Sequence, residues 1–111
     1  MIAHVSPQEL TSWLQGHGGT PVVLDVREPW ELQTASVAAD GFQLRTIPMS
    51  ELGQRLAELD PGQPVACLCH HGARSLRVAS FLDQNGFAAV ANITGGIDAW
   101  ARERDPTVPR Y

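Results

Sequence analysis

Short apolar runs alternate along this chain with segments whose apolar residues recur at helical spacing, and that alternation restricts the fold more than any other feature. Val22-Val23-Leu24-Asp25-Val26-Arg27 is nearly continuous in apolar side chains, with its polar residues gathered at the C-terminal end, as expected of a strand covered on both faces. Pro64-Val65-Ala66-Cys67-Leu68-Cys69 reads as a second buried strand, Leu44 to Pro48 as another, and Ala88 to Ile93 as the last. Helical patterns fall between them. Ser6-Pro7 offers an N-cap and a first-turn proline ahead of Leu10, Trp13 and Leu14, and that helix ends near Gly16 before a turn at Gly18-Gly19-Thr20-Pro21. Glu28-Pro29-Trp30-Glu31-Leu32 looks like a helix start. Leu52, Leu56 and Leu59 mark one face of a helix that Asp60-Pro61-Gly62 terminates. Val78, Phe81 and Leu82 give another helix its apolar face up to Asn85-Gly86, and Ile97, Trp100 and Ala101 do the same for a closing helix after Thr94-Gly95-Gly96. Residues 33–42 carry no readable pattern.

Strand–helix alternation of this kind predicts an α/β fold, an open and mostly parallel sheet between helices. In such sheets ligands bind outside the carboxyl ends of the strands, where Cys69 falls. The length of 111 residues, with neither linker nor internal repeat, predicts a single domain over residues 1–111 with a Pro-containing tail from about residue 104.

Charge excludes several chemistries. All eight basic residues are Arg, so a Schiff-base lysine or a Walker-type lysine is impossible. A net charge of −4 provides no footprint for nucleic acid, although a basic spot gathers around His70, His71, Arg74 and Arg77. Residues 1–7 lack the regions of a signal peptide and no apolar run approaches membrane-spanning length, so a cytoplasmic protein without membrane contact is expected. The two cysteines, Cys67 and Cys69, stand too close in sequence for a disulfide to cross-link anything distant.

The chemistry is expected in the loop Cys69-His70-His71-Gly72-Ala73-Arg74-Ser75. A cysteine at a strand end, just before a helix, lies where backbone N–H groups and the helix dipole favour a thiolate. Gly72 allows the backbone to curl so that amides face inward, and Arg74 or Ser75 can occupy the first helical turn. Such a nest suits a thiolate, a persulfide or an oxyanion.

This loop resembles the active-site loop of the rhodanese family. Asp25-Val26-Arg27-Glu28-Pro29-Trp30-Glu31 is similar to the family's first signature, and Ile93-Thr94-Gly95-Gly96-Ile97-Asp98-Ala99-Trp100 to its C-terminal Gly-Gly…Trp signature. The resemblance implies a three-layer domain with a central sheet of about five strands flanked by helices. It also implies a sulfurtransferase in which Cys69 takes the outer sulfur of thiosulfate or another sulfane donor and releases sulfite. The resulting persulfide passes its sulfur to cyanide or a thiol, including a protein thiol, with no metal or organic cofactor. Cys69 is then the catalytic residue, and His70, His71, Gly72, Ala73, Arg74 and Ser75 form the substrate-binding loop.

Four residues separate Cys69 from Arg74, one fewer than in the related phosphatases and arsenate reductases, and the shorter loop suits a sulfur atom better than a tetrahedral phosphate. The family's His-Ile-x-Gly-Ala is replaced here by Ser36-Val37-Ala38-Ala39-Asp40-Gly41-Phe42, and no functional residue is carried over to it. Two other readings remain: a soft-metal site built on Cys-x-Cys-His-His, and a rhodanese-like module whose task is to dock a partner. Cys67 is expected to fill the core, Arg27 and Glu31 to be structural, and Gly95, Gly96 and Trp100 to serve turns and packing. Arg74 either attracts anionic donors or is tied to a carboxylate such as Asp25 or Glu31.

Overall fold

A computed structural model describes residues 2–17 and 20–111; the turn expected at Gly18-Gly19 lies outside the described residues. Five parallel strands form one sheet: β1 (Ile2–Val5), β2 (Val22–Asp25), β3 (Gln43–Thr46), β4 (Val65–Leu68) and β5 (Val90–Ile93). Their spatial order is β1-β5-β4-β2-β3, with every pairing parallel. The helices are α1 (Leu10–Gln15), α2 (Pro29–Thr34), α3 (Leu52–Arg55), α4 (Ala73–Gln84) and α5 (Gly96–Glu103).

Side chains sort by the two-residue period of the strands. On β4, Ala66 and Leu68 join Leu10, Leu14, Ile97 and Trp100 in a core beneath α1 and α5. Val65 and Cys67, followed by Cys69 just past the strand, join Leu52, Val78, Ala79 and Leu82 beneath α3 and α4. Both faces of the sheet are therefore covered, which is why the central strands read as unbroken apolar runs. Trp100 is 2% exposed, meets Phe42 edge-on at 6.0 Å, and carries the Arg104 guanidinium 5.1 Å above its ring.

After β2 the chain moves outward to β3, and after β4 it moves the other way to β5, so the loops leaving β2 and β4 diverge. This is the switch point at which parallel sheets open a crevice.

Several elements depart from the sequence pattern. β1, an edge strand with a partly exposed pattern, was not signalled by an apolar run, yet it pairs with β5 from Ile2↔Val90 to Val5↔Ile93. α1 starts at Leu10 rather than Pro7, because Ser6 and Glu9 close a turn first: the Glu9 N–H donates to Ser6 Oγ at 3.2 Å and the Ser6 N–H to Glu9 Oε1 at 2.9 Å. The helix expected through Leu52, Leu56 and Leu59 breaks into two 3₁₀ turns around the four-residue α3, which contains the poor helix former Gly53. The patternless stretch 33–42 supplies the buried Ala35, Val37 and Phe42 from irregular backbone. No helix among the described residues is long and apolar enough to cross a membrane.

Trp100→Ala is expected to cost about 3–5 kcal/mol of stability, because Phe42 and the sheet cannot collapse into the space left; a urea titration measures it.

Candidate active site at the end of strand β4

Cys69 directly follows the central strand β4, with its side chain buried, 1% exposed. Its Sγ accepts the Gly72 N–H at 3.0 Å and lies 3.3 Å from Ser75 Oγ. Gly72 makes the turn at φ +108°, a conformation that favours glycine, and any Cβ there would press on the Gly95 amide nitrogen at 3.3 Å. Ser75, in the first turn of α4, is fully buried. Its hydroxyl sits 2.5 Å from Asn92 Oδ1 and 3.2 Å from the Gly72 carbonyl oxygen, and Asn92 Nδ2 donates to that same carbonyl at 3.3 Å. The sulfur thus faces one N–H and one rotatable hydroxyl, both braced from β5.

The loop is seated on α5. The Ile97 N–H donates to the Cys69 carbonyl at 2.8 Å and the Asp98 N–H to the His70 carbonyl at 3.2 Å, so two of the helix's free first-turn donors are used to hold loop backbone. Gly96 makes this approach possible: at φ +59°, a Cβ would lie 2.5 Å from the Cys69 carbonyl oxygen. Besides turning the chain, Gly95-Gly96 forms the floor of the loop.

A charged network closes the side toward α2. Asp25 takes three hydrogen bonds from buried Arg27, through Nε at 2.9 and 3.2 Å and Nη2 at 2.7 Å. Although burial opposes its charge, the Asp25 bonds and the Tyr111 hydroxyl raise the Arg27 pKa above its ordinary value. Arg74 binds Glu31 with both terminal nitrogens, at 2.5 and 2.7 Å, so the structure displays the tie to a carboxylate, and the carboxylate is Glu31. Glu31 is 2% exposed and caps its own helix by accepting the Glu28 N–H at 3.0 Å. The Arg74 donors, helped by the Tyr111 hydroxyl and the Glu28 N–H, hold the Glu31 carboxyl down at about 2, against burial pushing it up.

His70 lies between two rings, His71 at 3.9 Å and Tyr111 at 3.9 Å, and its Nε2 is 2.7 Å from the Tyr111 main-chain oxygen. His71 and Ala73 are exposed. Cys67 is wholly buried, and burial, with the neighbouring Cys69, pushes its thiol up into permanent protonation at neutral pH. Among the described residues no three His, Cys, Asp or Glu side chains converge so as to hold a metal ion.

Of the loop residues singled out from sequence, Cys69, Gly72 and Ser75 meet at the sulfur, while His70 and Arg74 are engaged with Tyr111 and Glu31. Asn92 and Tyr111 were missed. Asn92 did leave a signal, as the one polar residue within the apolar run Val90-Ala91-Asn92-Ile93; Tyr111, in the tail, left none.

Glu31 has its pKa lowered in the folded state, so its contribution to stability is complete above the ordinary carboxylate pKa and fades as pH falls toward about 2. On the order of 3 kcal/mol is expected to be lost across that interval, and the acid limb should flatten in Glu31→Gln; urea midpoints against pH test this. Gly96→Ala is expected to cost more than about 2 kcal/mol, whereas Gly53→Ala should gain up to about 1 kcal/mol, as its added Cβ meets nothing within 4 Å.

The rhodanese-like domain family matches residues 6–103. The chain is 39% identical over 93 residues to the rhodanese-like/PpiC domain-containing protein 12, chloroplastic, of Arabidopsis thaliana, covering 80% of this chain but 30% of that relative's length. It is 31% identical over 110 residues to the thiosulfate sulfurtransferase GlpE of Actinobacillus pleuropneumoniae, covering 99% of this chain and 96% of that one. A rhodanese-related protein from Thermoplasma volcanium superposes with a TM-score of 0.77 at 33% identity, covering 98% and 99% of the two chains. A match across nearly the whole chain, with the loop, sheet order and flanking signatures described above, establishes that this protein belongs to the rhodanese-like domain family.

Proposed function

We propose that this protein is a thiosulfate or persulfide sulfurtransferase that carries a sulfane sulfur on Cys69. The observation that carries the reading is the setting of the sulfur: nearly buried at the end of the central strand, with the Gly72 N–H aimed at it from 3.0 Å and the Ser75 hydroxyl at 3.3 Å. In the first step the Cys69 thiolate attacks the outer sulfur of thiosulfate. The sulfur–sulfur bond of the donor breaks, sulfite leaves with the electron pair, and Cys69 holds a persulfide. In the second, cyanide or an acceptor thiolate attacks the outer persulfide sulfur and the Cys69 thiolate is regenerated. The Ser75 proton can turn from Asn92 toward the sulfur whenever the sulfur carries charge, and the Gly72 N–H serves both states.

Cys67 takes no part. It is wholly buried and protonated, on the same side of the sheet as Cys69 but one strand pleat away. Sulfur is favoured over phosphate because only four residues separate Cys69 from Arg74, and because Arg74 already spends its bidentate face on Glu31. Two free cysteines and a reaction that needs a reduced thiol suit the cytoplasm.

Mass spectrometry after thiosulfate treatment is expected to show a gain of one sulfur on Cys69, reversed by cyanide or excess thiol. Cys69→Ser should lose the adduct and lower turnover by about a thousandfold or more, while Cys67→Ser keeps both. Absence of the adduct from the native protein would overturn the mechanism, and turnover of an aryl phosphate would favour phosphoryl transfer instead.

A further inference from the structure

Tyr111 stands beyond the residues matched by the rhodanese-like family, yet it reaches the site on two sides. On one, its ring lies parallel to His70, 3.9 Å away and tilted by 8°, while its main-chain oxygen sits 2.7 Å from His70 Nε2. On the other, its hydroxyl donates to Glu31 Oε2 at 2.7 Å and accepts from Arg27 Nη1 at 3.1 Å. Glu31 in turn holds Arg74 through two bonds. Tyr111 therefore holds His70 directly at one end of the segment from His70 to Arg74, and at the other end meets only the carboxylate that binds Arg74.

The tail that brings Tyr111 there is anchored. Val108 is buried in the core beneath α1 and α5, Arg110 Nε donates to Asp98 at 2.9 Å, and Trp30 meets the Tyr111 ring edge-on at 6.4 Å. Because the Cys69 side chain is 1% exposed, anything that takes its outer sulfur must pass the side chains lining the loop. Without the Tyr111 ring, the His70 side chain would keep its stack on His71 and the main-chain oxygen of residue 111, but its second ring face would be uncovered. Without the Tyr111 hydroxyl, Arg74 would still keep both bonds to Glu31. The ring therefore matters more than the hydroxyl.

We propose that Tyr111 is a positioning residue whose ring clamps His70 and so sets the size of the thiol admitted to Cys69. The proposal rests on the sulfurtransferase reading and adds to it a selectivity device supplied by the tail.

The test compares the rate at which Cys69 of the full chain is alkylated by small iodoacetamide and by a bulky fluorescein maleimide, followed by peptide mass mapping. Tyr111→Ala is expected to raise the bulky-to-small ratio about tenfold, and Tyr111→Phe, which keeps the ring, to stay within about threefold of the native protein. Cys67, wholly buried, reports general opening. Should Tyr111→Ala label Cys67 as fast as Cys69, Tyr111→Leu, which keeps apolar bulk without the stack, decides by the same ratio. With sulfur acceptors, Tyr111→Ala should lower KM for a bulky thiol while leaving that for cyanide unchanged, and Tyr111→Phe should change neither. A ratio that stays flat in Tyr111→Ala, or rises equally for Tyr111→Phe and Tyr111→Ala, overturns the clamp. Alkylation requires no sulfur transfer: a flat ratio in a protein that forms the persulfide removes the clamp alone, and a raised ratio in one that does not removes the sulfurtransferase reading alone.

Discussion

The carbonyl oxygens of Cys69 and His70 rest on the first-turn N–H groups of α5, and the other contacts at the site follow from that seat. The approach is so close that position 96 cannot carry a Cβ, which turns a backbone hydrogen-bonding requirement into a glycine requirement. Once the loop is held there, Gly72 takes its positive φ, its N–H points at the sulfur, and α4 begins with Ser75 directly beneath. Asn92, on the neighbouring strand, then ties Ser75 and the Gly72 carbonyl to the sheet. The Cys69 sulfur is thus positioned by backbone and by neutral polar groups, which lose less on burial than ions do.

The charges are arranged around this centre rather than at it. Burying Asp25, Arg27 and Glu31 is tolerable because each is hydrogen-bonded, and no buried side-chain nitrogen or oxygen among the described residues lacks a partner. Glu31 joins most of them: it caps α2, holds Arg74 on α4 and accepts the Tyr111 hydroxyl. Three segments distant in sequence, α2, α4 and the tail, thus meet at one carboxylate. A network of this kind adds little net stability compared with an apolar core, but it penalises any arrangement that leaves one of its ions alone.

What the amino-acid order determined by itself was local and periodic. Both-face burial wrote β2, β4 and β5 as apolar runs, helical spacing marked α4 and α5, and the strand–Cys–Gly–helix order put Cys69 at the mouth of a turn. The relationship of Arg74 to a carboxylate was legible only as an alternative, since composition shows that a partner is needed without showing which. Only the tertiary structure decided the edge pairing of β1 with β5, the choice of Glu31 over Asp25, the role of Asn92 beneath the sulfur and the arrival of Tyr111 over His70. The physical reason is separation along the chain. Arg74 and Glu31 stand 43 positions apart and Tyr111 and Glu31 stand 80 apart, so neither contact leaves a trace in local periodicity. Such pairs are set by which strand lies beside which, and that order exists only once the sheet has assembled.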